Sequence, residues 1–169
     1  MITMDPPWVL STGNPTRGVA TNYHTLTDQD IYEACIPFEK LQTDGFLFIW
    51  VINNKYKFAL DLFARHNYKL VEELVWVKQT VNGKINKGHG YYLQHAKETC
   101  LVGYKGDLKD RLKGQVDCDV IFSQRRGQSQ KPEEIYELVE QLVPNGYYLE
   151  VFSRRNNLHN GWVSIGNEL

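Results

Sequence analysis

The chain has 169 residues, enough for one domain with a developed core. An apolar fraction of 42% and an aromatic fraction of 12% exclude a disordered chain, and no apolar run approaches the roughly 20 residues that span a bilayer. The net charge of -1 lacks the basic excess of a stand-alone nucleic-acid binder, so a polynucleotide ligand would have to be gripped by local basic loops or by another subunit.

Taken in chain order, segments rich in β-branched and aromatic residues predict strands over residues 2–4, 45–52, 70–78, 99–105, 119–123, 147–153 and 162–165. Several are apolar throughout, as strands buried on both faces are. Helical patterns lie between them. Residues 28–35 form a short helix stopped by Pro37. Residues 55–67 put Phe58, Ala59, Leu62 and Phe63 on one face. Residues 132–143 place Ile135, Leu138, Val139 and Leu142 on one stripe, with Pro132 at the first helical position, Glu133 and Glu134 opposing the N-terminal dipole, and Gly146 past the end. Strands alternating with helices predict an α/β domain with a mostly parallel sheet flanked by helices. Polar stretches at residues 9–27, 79–95 and 124–131 interrupt this order, and long loops in a compact domain are commonly functional.

Cys35, Cys100 and Cys118 are odd in number and form no C-x-x-C, which argues against a disulfide framework or zinc site and for a reducing compartment such as cytosol or nucleus. The N-terminus has no signal-peptide pattern. His24, His66, His89, His95 and His159 show no metal-ligand spacing, so no metal is assigned.

The chemistry centres on Asp5-Pro6-Pro7-Trp8, directly after the first strand, where ligands of open α/β sheets sit. An adenine amine is a poor nucleophile because its lone pair is delocalised into the ring. Two acceptors aimed at its N–H groups favour a pyramidal nitrogen and free that lone pair. Asp5 when ionised only accepts, and the Pro6 carbonyl supplies a second acceptor. Pro6 and Pro7 lock φ and hold the carbonyls as the chain leaves the strand. Trp8 is expected to offer a face for an extracted base. A methyl sulfonium held in line needs little beyond positioning and electrostatics.

With DPPW at residues 5–8 stand DGFLFIWV at 44–51, WVK at 76–78, HAKETCLVGYKG at 95–106, DCDVI at 117–121, KPEEIY at 131–136, LEVFSRRNN at 149–157 and WVSIGNEL at 162–169. This ordered series, over nearly the whole chain, resembles the β-class amino-methyltransferases typified by the catalytic subunit of the eukaryotic mRNA N6-adenosine methyltransferase. GQSQKPEEIY at residues 127–136 and RRNNLHNGWVSIGNEL at 154–169 look closest to the ciliate-type branch, whose members methylate adenine in DNA together with partner proteins. The resemblance implies a Rossmann-like methyltransferase fold with the target-amine motif before the cofactor segment, and S-adenosyl-L-methionine as cofactor, giving S-adenosyl-L-homocysteine. Carried over by position, Asp5, Pro6, Pro7 and Trp8 form the catalytic motif, with Asp5 also near the cofactor's methionine end. Lys131 would pair with the methionine carboxylate, Phe152 and Arg154 would border the cofactor, and Arg154, Asn157 and Asn167 would reach its ribose. Tyr23 corresponds to a tyrosine in the loop after the motif that helps gate the base. The mRNA writers carry histidine at Asn156 and glutamine at Glu168; both positions are expected to border the cofactor, and Glu168 can still accept from a ribose diol. Family members also have residues upstream of the motif that help hold the cofactor's adenine, so the chain reads as a single domain forming the core of a longer protein.

Lys84 and Lys87 lie in a flexible basic loop suited to following a backbone; Lys105, Lys109, Arg111 and Lys113 form a second basic stretch and Arg125-Arg126 a third. By the resemblance, residues 124–130 contact a catalytically silent paralogous subunit, further DNA-binding subunits join the complex, and the protein is nuclear. The leading expectation is a DNA adenine-N6 methyltransferase acting as the catalytic subunit of a complex. The alternatives are an mRNA N6-adenosine methyltransferase subunit and a non-catalytic scaffold. Silent paralogues lose the aspartate and aromatic of the motif, and both Asp5 and Trp8 are present. Protein-amide and cytosine methyltransferases more often carry Asn or Ser in place of Asp5.

Overall fold

Seven strands form one sheet in the order β5-β3-β4-β2-β1-β6-β7. They are β1 (Ile2–Met4), β2 (Gly45–Val51), β3 (Lys69–Gln79), β4 (Lys97–Lys105), β5 (Val120–Gln124), β6 (Tyr148–Val151) and β7 (Trp162–Ile165). The computed structural model describes residues 1–9, 24–34, 36–114, 116–127 and 129–169. The pairs β1–β2, β1–β6, β6–β7 and β3–β5 are parallel, whereas β4 runs antiparallel to both β2 and β3. The expectation of a mostly parallel α/β sheet with a Rossmann-like layout therefore holds, with one reversed strand inside it.

Alternation along the strands builds two cores. On one face Phe46, Phe48 and Trp50 of β2 meet Trp76, Cys100 and Ile121, covered by Ile135, Tyr136 and Val139 of α4 (Glu134–Leu142). On the other face Ile2, Met4, Leu47, Ile49 and Leu101 pack under Ile31 of α1 (Asp28–Glu33), Phe38 of α2 (Phe38–Leu41), and Phe58, Leu62 and Phe63 of α3 (Tyr56–Arg65). All seven residues of β2 are buried, as its unbroken apolar run requires. No helix among the described residues is long and apolar enough to cross a membrane.

Several boundaries differ from the sequence expectation. The strand expected over residues 147–153 ends at Val151 because Phe152 takes φ 63°, a left-handed conformation that breaks a ladder. Helix α4 starts at Glu134, so Pro132 precedes the N-cap position instead of occupying the first helical one. Helix α1 ends at Glu33, and Pro37 opens the unanticipated α2. The N-terminus of α1 is set by a capping box: the Asp30 N–H donates to Thr27 Oγ1 at 3.1 Å, and the Thr27 N–H donates to Asp30 Oδ2 at 2.9 Å.

The sheet order reverses at β1, with β2, β4, β3 and β5 on one side and β6 and β7 on the other. The crevice beyond the carboxyl end of such a strand is where open α/β sheets bind ligands. Because β4 is reversed, its first residues lie at this same end, with Glu98 opposite Trp76 and Thr99 opposite Val51.

Candidate active site

Asp5 is the first residue past β1, and its carboxylate is largely shielded. Two cations converge on its Oδ2: Lys131 Nζ at 2.9 Å and Arg154 Nη2 at 3.4 Å. Lys131 lies in the connection from β5 to α4 and Arg154 in the connection from β6 to β7, so three strand-end segments meet here. Lys131 is buried; it also reaches Glu98 Oε2 at 2.9 Å and sits 5.4 Å from the centre of the Trp50 ring. Glu98 in turn receives Lys78 Nζ at 2.6 Å on its other oxygen.

The charges set one another. Burial alone would raise the Glu98 carboxyl, but Lys131 and Lys78 outweigh it and hold its pKa down to about 2. Burial likewise opposes the charged form of Lys131, yet Asp5 and Glu98 raise its pKa above the ordinary lysine value. The two carboxylates at 2.9 Å favour the charged form of this buried lysine.

A second polar cluster lies beside the first. Glu150 of β6 accepts from Tyr136 Oη at 3.0 Å and from Ser153 Oγ at 2.9 Å. Its pKa is raised, chiefly by burial, with both hydrogen bonds pulling the other way. Tyr136 Oη also contacts the Asn157 carbonyl at 3.1 Å, which anchors the one-turn 3-10 helix Arg155–Asn157 against α4. The Asn157 side chain is buried, and its Oδ1 has no hydrogen-bond partner among the described residues.

The expected site residues divide into groups. Asp5, Lys131 and Arg154 are brought into direct contact. Arg154 Nη2 also donates to the Ser129 carbonyl at 2.9 Å. Phe152, half-buried, and Asn157 belong to the adjoining segment. Asn156 and Asn167 are exposed, and the Asn156 carbonyl accepts from Gln130 Nε2 at 2.6 Å. Glu168 is bridged to Arg154 through the backbone, and its Oε1 accepts the His24 N–H at 3.3 Å. Lys84 and Lys87 are exposed in the β3–β4 connection. Tyr23 lies outside the described residues.

Two expectations about the motif change. Trp8 does not present a face for a base: it is 5% exposed, packed edge-on to Phe58 at 5.1 Å, with its Nε1 donating to the Trp50 carbonyl at 3.2 Å. Its large apolar surface is worth more in the core, where it pins the segment leaving β1. The Pro6 carbonyl already accepts the Trp8 N–H at 2.8 Å, so one lone pair remains for a ligand amine. The Pro7 carbonyl accepts the Leu26 N–H at 2.8 Å, which fastens the two ends of the polar stretch that follows the motif.

Sequence reasoning gave no role to Glu98, Lys78 or Glu150. The available signal was a lone acid in an otherwise apolar strand, as in Glu98 before Thr99-Cys100-Leu101-Val102 and Glu150 between Leu149 and Val151. The segments carrying them were singled out for their resemblance, but pairing them with Lys131 and Tyr136 needs the fold.

With this geometry in place, the comparisons with known proteins agree on one family. A model of the MT-A70 family matches residues 1–168. The chain is 37% identical over 171 residues to the N(6)-adenosine-methyltransferase catalytic subunit METTL3 of Homo sapiens, covering 100% of this chain and 28% of that protein. It is 36% identical over 171 residues to the N(6)-adenosine-methyltransferase MT-A70-like of Arabidopsis thaliana, covering 100% of this chain and 23% of that protein. Similarity to the N(6)-adenosine-methyltransferase non-catalytic subunit METTL14 of Drosophila melanogaster is lower, 28% over 142 residues, covering 74% of this chain. The chain thus spans about a quarter of the length of the relatives it matches in full, 28% and 23%. By the extent of these matches, the chain belongs to the MT-A70 family.

Proposed function

We propose that this chain is the catalytic core of an S-adenosylmethionine-dependent methyltransferase acting on the N6 amine of adenosine in RNA. The observation that carries the reading is the Asp5 carboxylate at the sheet's switch point, held on one oxygen by Lys131 and Arg154. Among the described residues, that arrangement leaves Oδ1 as an acceptor for an amine N–H, beside the remaining lone pair of the Pro6 carbonyl. Together they orient the amine and draw electron density onto its nitrogen, and Asp5 Oδ1 is placed to take the proton that the methylated nitrogen releases.

The residues present fit the cofactor. Among the described residues Lys131 directs N–H groups at Asp5 and Glu98, which leaves a third for the carboxylate of the cofactor. The buried Asn157 Oδ1 is an acceptor waiting for a donor, which a ribose hydroxyl supplies. When bound, the cofactor contributes an electrophilic methyl group. The protein's part is to hold the amine in line with it and exclude water. In this reading Phe152, Arg154 and Glu168 border the cofactor, together with Asn156 and Asn167, whose side chains are exposed.

RNA takes precedence over the DNA expected from the sequence because the relatives matched over the full chain are named for adenosine, a ribonucleoside. DNA is the second reading, resting on Asn156 and the residue pattern of 127–136 and 154–169. A paralogous subunit of the non-catalytic kind fits the chain's lack of net basic charge. The test supplies labelled cofactor and matched RNA and DNA strands to the protein, with and without such a subunit. Methyl transfer to adenosine in RNA supports the reading, transfer to DNA alone turns it to the second, and cofactor binding with no transfer to either favours a scaffold.

A further inference from the structure

Among the described residues the buried Oδ1 of Asn157 has no hydrogen-bond partner, and a side chain in that condition keeps its aim only if its backbone is fixed. His159, which follows Asn157 and Leu158, supplies a fixing point. Its ring lies flat on the Tyr136 ring, with centres 4.6 Å apart at 4°. Its Nδ1 is 2.6 Å from Glu133 Oε1, and its Nε2 is 3.2 Å from Glu140 Oε1. In any protonation state at least one ring N–H therefore points at a carboxylate of α4 or its N-cap residue. The Trp162 ring stands edge-on to both His159 and Tyr136, and its Nε1 donates to the same Glu140 oxygen at 2.8 Å.

Glu133 carries the connection further. It is the N-cap residue of α4, yet its side chain makes no cap bond to that helix. Its Oε1 faces His159, and its Oε2 is paired with Arg126 Nη1. Arg126 Nη2 then donates to the Lys131 carbonyl at 2.8 Å. One carboxylate thus joins the segment bearing Lys131, which faces Asp5 and Glu98, to the segment bearing Arg154 and Asn157. The second segment is also held by Arg154 on the Ser129 carbonyl and by Gln130 on the Asn156 carbonyl.

We propose that His159, acting through Glu133, is a positioning residue for the cofactor. It fixes the backbone around Asn157 so that the buried Oδ1 faces a ribose hydroxyl, in register with Lys131 at the methionine end. This rests on the reading of the Asp5 site as an S-adenosylmethionine site. In this role His159 touches neither the cofactor nor the target amine. Without its ring nitrogens the turn at Arg155–Asn157 loses its tie to Glu133 and Glu140. The unpaired oxygen then turns to water, which satisfies it at the expense of the ribose contact.

The test is calorimetric titration of the full chain with S-adenosyl-L-homocysteine and with its 2′,3′-dideoxy analogue, which lacks the ribose hydroxyls. The variants are His159→Phe, which keeps a ring for Tyr136 without the nitrogens, and Glu133→Ala, which breaks the link from its more exposed end; melting temperatures check that each folds. Asn157→Ala measures the share of ribose preference that Asn157 supplies, expected at roughly three- to tenfold, the contribution of one hydrogen bond. His159→Phe should lose that same share through weaker binding of the parent ligand, with analogue affinity unchanged. Glu133→Ala should lose it too, and should also weaken the analogue, because the tie to the Lys131 carbonyl goes with it. In methyl transfer, His159→Phe should raise the KM for S-adenosylmethionine and leave kcat unchanged. A ribose preference that survives in either folded variant, whether or not both ligands bind more weakly, would overturn the positioning role alone. An Asn157→Ala variant with the wild-type preference would overturn the pairing of Asn157 with the ribose. Wild-type protein that binds neither ligand would overturn the reading of the site, and this inference with it.

Discussion

Lys131 Nζ stands 2.9 Å from Asp5 Oδ2, joining the segment before α4 to the end of the central strand. The same ammonium lies 2.9 Å from Glu98, so one buried cation neutralises two carboxylates carried by different strands. Removing it leaves Asp5 with Arg154 alone and Glu98 with Lys78 alone, each short of its buried cation. Lys131→Met should therefore destabilise the domain by about 3–5 kcal/mol, the usual cost of breaking a buried pair from one side. Urea unfolding checks the figure. The triple variant D5N/E98Q/K131M, which removes all three charges, should recover most of the loss.

Glu98 gives the fold a signature in acid. Its folded pKa of about 2 lies below the ordinary 4.5, so its contribution to stability is complete above pH 4.5 and is lost as pH falls toward 2. Glu98→Gln lacks that contribution at every pH. Unfolding midpoints of wild type and variant should differ near neutrality and converge as pH falls below 4.5.

Glu150 behaves in the opposite sense. Burial raises its pKa above 4.5, so the folded state keeps the proton to higher pH than the unfolded chain does. Its contribution therefore weakens as pH rises from 4.5 through the raised value. Glu150→Gln keeps partners for Tyr136 and Ser153 without the charge. It should melt higher than wild type near neutrality, with the advantage shrinking toward pH 4.5.

These carboxylates mark how far the sequence could be read. Strand β2 was legible because seven consecutive apolar residues leave no other place for it, and α3 because Phe58, Ala59, Leu62 and Phe63 share a stripe. Asp5 was reached through the chemistry of its motif and Lys131 and Arg154 through resemblance, and the fold supplied their common oxygen. Glu98 escaped because its role depends on β4 being reversed, and nothing local in the chain sets strand direction. Trp8 was misjudged for a related reason: a tryptophan beside a motif has the same chemistry whether it faces a ligand or the core, and its packing on Phe58 is a tertiary fact. The break at Phe152 was equally hidden, because an aromatic residue is a poor choice for φ 63° and only the surrounding structure imposes it.

Gly166 tests the segment proposed to border the cofactor without touching its side chains. A Cβ there would meet the Ser153 carbonyl oxygen at 2.0 Å and the Ser153 nitrogen at 2.9 Å, and backbone atoms cannot rotate away. Gly166→Ala should cost about 1–3 kcal/mol in stability. It should also weaken S-adenosylmethionine binding in calorimetry, because relief of the clash displaces the Phe152–Arg154 backbone. Unchanged affinity would separate that segment from the cofactor.

The account depends most on Asp5. The direct measurement is mass-spectrometric detection of N6-methyladenosine in an RNA strand incubated with S-adenosylmethionine and either the wild-type protein assembled with the proposed non-catalytic subunit or the same complex bearing Asp5→Ala. The account predicts methylated adenosine with wild type and none above background with the variant, while the variant complex stays assembled and folded. Transfer by the Asp5→Ala complex at the wild-type rate would contradict it.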